Sequence, residues 1–449
     1  MRRENINFRT SMRSSKSLYV IGLLVPLYSL SVRFFVEWSW FKILPLVFLG
    51  AIVLKRSVIY RPKRDIFNVA VLLIFYMFVI TFFSYIDNYT NGRFLYAIAH
   101  GQEPARTYGH MIIQFFVVVG LVVNFFLLTF LVKTQREVGL FINGFLVGNF
   151  VSVVFGCIQF VSGTGKYHVH GRMNGLGGEP RHFAAFLSLA LIIILANYLS
   201  KNPLRIRGTR LMVPVFLMGL FLSFSTSAWL GFTVAIVALL ILSKRMKRAH
   251  KICAVIIILI FPVLLASETV QAALQLRLFE RMKSLDYFLY FAPKDALVIK
   301  LLAEEWWILL FGAGAGGTDS YVIAPGFIGS VSETILKAGV MQQILHGNIS
   351  VSPSPSSFAI KYIGEYGLVG VLVLLFFIKK ILRKVANTPY ARIITYISIA
   401  VLVASIPISI YMIYSYFIIL AVFYAFAYHH TRTGGMTTGY RSSHSQNFV

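Results

Sequence analysis

Long apolar runs alternate with short polar or basic stretches along most of this chain. Apolar runs of about 17–25 residues can cross the hydrocarbon core of a bilayer as helices. The pattern predicts spans at Leu18–Val36, Trp38–Leu54, Phe67–Ile86, His110–Val132, Gly139–Val161, Phe183–Ser200, Leu211–Phe224, Ala228–Ser243, Ile252–Ala266, Phe358–Ile378, Ile393–Ile410 and Tyr411–Tyr428. The expected fold class is all-α integral membrane, with about twelve transmembrane helices. The breaks inside Leu211–Ser243 and inside the last pair are short. The first run follows basic residues, as in a signal peptide, but no small-x-small cleavage site comes after it, so it reads as an uncleaved anchor.

Composition agrees with that pattern. The chain has 449 residues, 57% hydrophobic and only 13% charged, with a mean hydropathy of +0.75. A soluble domain of this length is not so apolar. Charge then orients the helices. With the N-terminus in the cytoplasm and sides alternating, 28 of the 42 lysines and arginines fall on the cytoplasmic side, opposed there by Glu4, Asp65 and Glu137. This asymmetry is the positive-inside rule. It explains a net charge of +26 without nucleic acid, because the basic residues meet anionic lipid. No nucleic-acid partner is expected. Cys157 and Cys253 both fall in predicted helices, so neither a disulfide framework nor a CxxC metal site is indicated.

The expected organisation is a cytoplasmic tail at 1–17, nine helices over 18–266, an outward-facing loop domain at 267–357, three helices over 358–428, and a cytoplasmic disordered tail at 429–449. That tail is rich in Ser, Gly and Thr. Loops as long as 267–357 are usually functional. Within it, Leu274, Leu278, Met282 and Leu285 share one helical face, with Arg277, Arg281 and Lys283 around the other side, as in a helix lying on a membrane surface. A second apolar helix is expected over Asp295–Phe311. GAGAGG follows at Gly312–Gly317; it lacks the Lys-Ser/Thr of a P-loop and follows no strand.

The polar stretch SGTGKYHVHGRMNGLGGEPRH, Ser162–His182, lies between two apolar runs and holds Lys166, His168, His170, Arg172, Glu179, Arg181 and His182. Ionisable groups at a membrane boundary are costly unless they serve a function, and glycines let the backbone approach a bulky ligand. This stretch is the first candidate for handling a charged ligand at the bilayer surface.

Three blocks in order resemble the O-antigen polymerase and ligase superfamily of bacterial surface-polysaccharide assembly. GRMNGLGGEPRHFAAFLSLAL from Gly171 is similar to that family's Arg-x-x-Gly turn with Glu-Pro or Asn-Pro and a helix. LSFSTSAWLGF from Leu222 is similar to its Thr-x-Ser-Arg-x-x-x-Leu-Gly helix start. KDALVIKLLAEEWWILLFGAGAGG from Lys294, with KYIGEYGLVGVL from Lys361, resembles the end of its large periplasmic loop and the next helix. The likeness covers roughly residues 139–381. Thr226 stands where many relatives have Arg, and Ser356-Ser357 replaces a His-Asn pair most typical of ligases, which favours polymerase over ligase.

The resemblance implies a GT-C-type architecture with a large late periplasmic loop, in the bacterial inner membrane. It also implies an integral-membrane glycosyltransferase that polymerises undecaprenyl-pyrophosphate-linked oligosaccharide repeats at the periplasmic face. Its expected partners are the lipid-linked donor and acceptor, membrane lipids and a chain-length-regulating membrane protein. In that chemistry an acceptor hydroxyl attacks the anomeric carbon and the lipid pyrophosphate leaves. Fixed cations should stabilise the charge on the leaving group, and arginine suits this by its planar fork. The expected substrate-binding cations are Arg172, Arg181, Arg277, Arg281 and Lys294, with Lys283 and Lys300 nearby. The candidate general bases are Glu179, His182 and His346. No cofactor and no metal are expected, because pyrophosphate is already a leaving group.

Each residue has a plainer reading. Arg172 and Arg181 would anchor helix ends among phosphate headgroups, and Glu179 before Pro180 would complement a helix start; His168, His170 and His182 are zinc-ligand types, but no carboxylate or thiolate pattern accompanies them. Asp286, Asp295, Glu304 and Glu305 read as a solvated or capping set. Tyr287, Tyr290, Trp306 and Trp307 are candidates for stacking on sugars. The alternative functions are the related ligase and a lipid-linked oligosaccharide flippase. A flippase should carry ionisable pairs or broken helices within the membrane.

Overall fold

The computed structural model describes residues 17–26, 32–33, 37–38, 46–52, 64–99, 104–164, 172–177, 180–200, 203–223, 225–243, 252, 293–323, 357–404 and 410–433. Its helices are α1 (Arg64–Thr90), α2 (Arg93–Ala99), α3 (Pro104–Leu131), α4 (Gln135–Ser162), α5 (Pro180–Leu199), α6 (Thr209–Leu222), α7 (Thr226–Leu242), α8 (Pro293–Glu304), α9 (Trp306–Phe311), α10 (Thr318–Ile323), α11 (Phe358–Val385), α12 (Ala391–Ala404) and α13 (Ile410–Thr433).

Helix α5 is the centre of the bundle. Pro180 at its first position has the fixed φ a first turn needs. The sequence then runs through small and aliphatic residues, and Ala184, Leu187, Ala190 and Ile193 are all fully buried. Being apolar on every side, it has to be enclosed, and α4, α6, α7, α12 and α13 enclose it. The outer helices differ. On α1, Phe67, Phe75, Phe82 and Phe83 are exposed. An apolar surface of that extent belongs against lipid. Four of the described helices are long and apolar enough to cross a membrane: Arg64–Thr90, Gly109–Leu131, Gln135–Ser162 and Pro180–Leu199. The protein is thus a helical membrane protein. Helices α6, α7 and α12 are apolar but shorter, and α11 is 28 residues long but broken at Gly367.

Local chemistry sets the ends of α4. Thr134 and Glu137 form a capping box, and Gly163 closes the helix in the left-handed conformation at φ 69°. Along its length, Gly144 and Gly148 face the backbone of the 17–24 helical segment so closely that a Cβ on either would run into the carbonyls of Tyr19 and Leu23. Small residues permit such backbone contact between membrane helices.

Several sequence expectations are corrected. Disorder does not begin at 429, since α13 runs on to Thr433 with His429 buried in the bundle, and the span Phe358–Ile378 is broken at Gly367. The span Leu18–Val36 is not one helix: helical residues 17–24 end in a turn at 25–26, and Val32–Arg33 then pairs antiparallel with Glu37–Trp38, where the next span was expected to begin. Pro26 is the reason, since it offers no N–H and disfavours helical backbone at Val25. The expected helix Asp295–Phe311 is two helices, α8 and α9, divided at Glu305 with φ −111° and ψ 83°. The division redirects α9 so that Phe311 and Gly312 meet the break in α11. Span Ile252–Ala266 and most of Trp38–Leu54 lie outside the described residues.

Bonds between helix ends sort those ends into two groups. In one, Asn143 near the start of α4 receives the Arg207 N–H (3.0 Å) and donates to the Arg205 carbonyl (3.0 Å), ahead of α6. His429 near the end of α13 meets the Thr129 carbonyl near the end of α3 (3.2 Å). In the other, the end of α1 bonds α10 through Asp87 and Tyr321, and the turn before α5 joins the end of α6.

Candidate functional site

The first polar centre is the turn preceding α5. Met173 N–H donates to the Leu222 carbonyl (2.9 Å), and Arg172 Nε donates to the Ser223 carbonyl (3.1 Å). Those two bonds join two blocks that lie about fifty residues apart in sequence. They also use carbonyls at the end of α6, which its own helix leaves free. The turn is seated on α4, where Ser152 Oγ accepts the Leu176 N–H (2.9 Å). Gly175, at φ 49°, lies where a Cβ would meet Ser152 and Phe183. His182 in the first turn of α5 is buried, and Arg181 beside it is half-buried. The structure thus brings Arg172, Arg181 and His182 to one end of the bundle.

The other predicted residues divide as follows. Glu179, Lys166, His168, His170, Arg277, Arg281, Lys283 and His346 lie outside the described residues, as do Asp286, Tyr287 and Tyr290. Lys294 falls on the first turn of α8, with its side chain outside them. Lys300 pairs with Glu304 one turn on at 2.9 Å. Asp295 is buried and its Oδ1 accepts the Ser357 N–H (3.0 Å), ahead of α11. Glu305 accepts from the Trp307 indole at 3.0 Å. Trp306 is 68% exposed, whereas Trp307 packs edge-on against Tyr321 with ring centroids 5.6 Å apart.

The second polar centre is one that sequence reasoning passed over. Helix α11 breaks at Gly367, where φ 63° and ψ −176° are open only to glycine. A broken helix frees carbonyls that, once buried, need donors, and the GAGAGG loop supplies them. Ala313 N–H bonds the Gly364 carbonyl and Gly314 N–H the Glu365 carbonyl, both at 2.8 Å. The Tyr76 hydroxyl on α1 lies 2.9 Å from both the Tyr366 and the Phe311 carbonyls. The loop's other N–H groups are used as well. Ala315 donates to Thr81 Oγ1 (3.1 Å), Gly316 to Glu365 Oε1 (3.0 Å), Gly317 to the Gly314 carbonyl (2.9 Å) and Gly312 to the Ile308 carbonyl (2.8 Å). Each N–H from Gly312 to Gly317 is thereby consumed inside the protein. A phosphate-cradling role would need several of them free, so the loop is a structural plug.

Around the plug lie paired ionisable groups. Lys361 Nζ is 3.6 Å from Glu365 Oε1, and both side chains are buried. His110 Nε2 on α3 is 3.6 Å from Asp319 Oδ2 on α10. Asp87 at the end of α1 pairs with Arg93 and accepts the Tyr321 hydroxyl, while the Arg93 guanidinium lies 4.1 Å from the Tyr321 ring centroid. Burial, then the hydrogen bond and negative charge of Asp87, push the Tyr321 hydroxyl well above the usual phenol range. The sequence signal for this centre was available: Lys and Glu spaced i, i+4 inside an apolar run, with glycines on either side of the Glu. Among the described residues, no group of three or more His, Cys, Asp or Glu side chains is placed to hold a metal ion.

No protein-family model matches this chain, and no curated protein matches it in sequence.

Proposed function

We propose that this protein is an integral-membrane glycosyltransferase that polymerises undecaprenyl-pyrophosphate-linked oligosaccharide repeats at the periplasmic face of the bacterial inner membrane. On this reading it has about twelve spans, both termini in the cytoplasm and a GT-C-type architecture. One observation carries the reading. The Arg172 turn and the Ser223–Ser225 break between α6 and α7, two of the three blocks resembling the polymerase and ligase superfamily, are bonded to each other through Arg172 Nε and Met173 N.

The chemistry follows from the groups gathered there. An acceptor hydroxyl attacks the anomeric carbon, the bond from that carbon to the pyrophosphate oxygen breaks, and the lipid pyrophosphate departs. Arg172, with Arg181 at the same end of the bundle, offsets the charge that builds on the leaving group. The Nε–Ser223 bond orients the guanidinium. His182 and Glu179 stand as candidate bases for the hydroxyl proton.

A transport reading has one specific observation in its favour. The break in α11 with the buried Lys361–Glu365 pair is the kind of discontinuous, ionisable helix that membrane transporters use. The experiment that separates the readings is the state of surface glycan in cells lacking the protein. Single repeats on the surface acceptor without a ladder mean a polymerase. Full polymer accumulating on the lipid carrier means a ligase. Repeats held at the cytoplasmic leaflet mean a flippase and overturn the glycosyltransferase reading.

A further inference from the structure

The plug belongs to a stretch expected outside the membrane, yet its bonds reach the middle of a span. Helix α1 is 27 residues long and apolar enough to cross a bilayer, and Tyr76 stands at its midpoint. The Tyr76 hydroxyl meets the Phe311 carbonyl, at the end of α9, at 2.9 Å. From there the chain follows α1 toward its end. Ala313 and Ala315 bond Ser84 and Thr81, and the Tyr321 hydroxyl bonds Asp87. Tyr76 and Asp87 lie about 16 Å apart at the helical rise, roughly half of a hydrocarbon core about 30 Å thick.

Helix α11 gives a second ruler. Asp295, near the start of α8, accepts the Ser357 N–H (3.0 Å) where α11 begins. The Tyr76 hydroxyl also meets the Tyr366 carbonyl, just before the break in α11, at 2.9 Å. The unbroken stretch between Ser357 and Tyr366 is about 14 Å long. The chain thus goes in beside α11 and comes out beside α1, with its tip level with Tyr76.

The chemistry of the tip suits that depth. Irregular backbone survives in a membrane interior only where the protein bonds its polar groups, and every N–H from Gly312 to Gly317 is so bonded. The open side is apolar: Leu310 and Phe311 are exposed, as are Phe75 next to Tyr76 and Leu368 next to Gly367. A water-lined recess at mid-depth would carry polar side chains there, whereas an apolar band continuous with the exposed phenylalanines of α1 belongs against lipid. Lys300, Glu304 and Glu305 precede α9 and stand up to about 9 Å nearer the boundary.

We infer that Pro293–Ile323 is a re-entrant hairpin, which dips into the bilayer from the side on which α1 ends, turns at mid-depth and sets Leu310 and Phe311 against lipid hydrocarbon. Trp306, one turn back on the same face as Leu310, meets lipid as well and not sugar. The placement rests on α1 as a span and on none of the residues of the Arg172 turn, so it stands apart from the polymerisation reading.

The test uses the full chain in phosphatidylcholine vesicles, with Cys157→Ala and Cys253→Ala as background and a nitroxide on one introduced cysteine. Its collisions with oxygen, which concentrates in hydrocarbon, and with a water-soluble nickel chelate report the surroundings. The references are Phe75→Cys at mid-depth and Asn91→Cys in the exposed turn after α1. Leu310→Cys should follow Phe75→Cys, losing most of the nickel collisions seen at Asn91→Cys and gaining oxygen collisions. Phe311→Cys is the second reporter if the Leu310 variant does not fold. Nickel collisions at Leu310→Cys as frequent as at Asn91→Cys put the tip in water and overturn the hairpin. A label shielded from both reagents means that protein covers the tip and overturns the lipid contact. Frequent nickel collisions at Phe75→Cys remove α1 as a ruler and overturn the placement with it.

Discussion

The carboxylate of Glu365 accepts the backbone N–H of Gly316 at 3.0 Å, across 49 residues of sequence and from within a broken helix. The same oxygen lies 3.6 Å from Lys361 Nζ. One side chain therefore fastens the GAGAGG plug and neutralises a buried ammonium. Glu365→Gln should cost more than the loss of a hydrogen bond, because the amide can still accept from Gly316 but leaves Lys361 buried without a counter-charge. A cost of about 3–5 kcal/mol is expected for such an orphaned charge. Lys361→Met added to Glu365→Gln should recover most of it. The check is a double-mutant cycle on unfolding free energy; additive costs would show that the two groups do not interact.

Gly367 should tolerate no side chain. Its backbone lies in a glycine-only region, and a Cβ there would overlap the Leu310 carbonyl and the Phe311 nitrogen. Gly312 faces the same problem against the Glu365 carbonyl at φ 91°. Gly367→Ala and Gly312→Ala should each destabilise by at least about 2 kcal/mol. Gly50→Ala, where a Cβ meets nothing, is the control. The fraction of monodisperse protein after mild heating reports the difference.

Much of this architecture is written in hydrophobic periodicity, and the parts that are not have definite causes. The spans at Phe67–Ile86 and Gly139–Val161 lie inside α1 and α4, and Phe183–Ser200 matches α5 to within one residue at its end, because an apolar run in lipid has little option but helix. The first span misled because one proline outweighs the apolar residues around it. The Lys361–Glu365 spacing was legible inside its apolar run; the break at Gly367 beside it was not, because only the donors brought by a distant loop make a break there possible. GAGAGG lacks the Lys-Ser/Thr of a P-loop and follows no strand, which argues against a nucleotide loop from sequence. What it does instead depends on Thr81, Tyr76 and Glu365, which no local spacing announces. The Arg172 turn was legible as a candidate, yet its attachment to Ser223 is a tertiary fact.

Arg172 separates the catalytic reading from the structural one. Removing its bond to the Ser223 carbonyl costs about 1 kcal/mol of stability. If its other N–H groups also meet the leaving pyrophosphate, Arg172→Ala should lower the rate of glycan polymerisation about a hundredfold. Arg172→Lys keeps the charge but not the fork and should recover only part of the rate. The measurement is ladder formation at matched protein level. A full ladder from Arg172→Ala would reduce the residue to an anchor of α6.

Tyr321 gives the protein an alkaline limit. Its hydroxyl is held neutral first by burial and then by Asp87, which accepts its proton and repels its anion. The folded value is thus raised above that of the unfolded chain, near 10. Below about pH 10 both states carry the proton and the native interaction is fully present. Above it the unfolded chain releases the proton while the folded one keeps it. The unfolded state then binds fewer protons, and stability falls with rising pH by up to about 1.4 kcal/mol per unit from this residue. Tyr321→Phe loses the bond to Asp87 and should be less stable at pH 7. It should also lose stability less steeply than the wild type between pH 10 and 11.5. Thermal midpoints of the two proteins across that range measure the slopes; parallel slopes would show that Tyr321 ionises as freely in the fold as in the open chain.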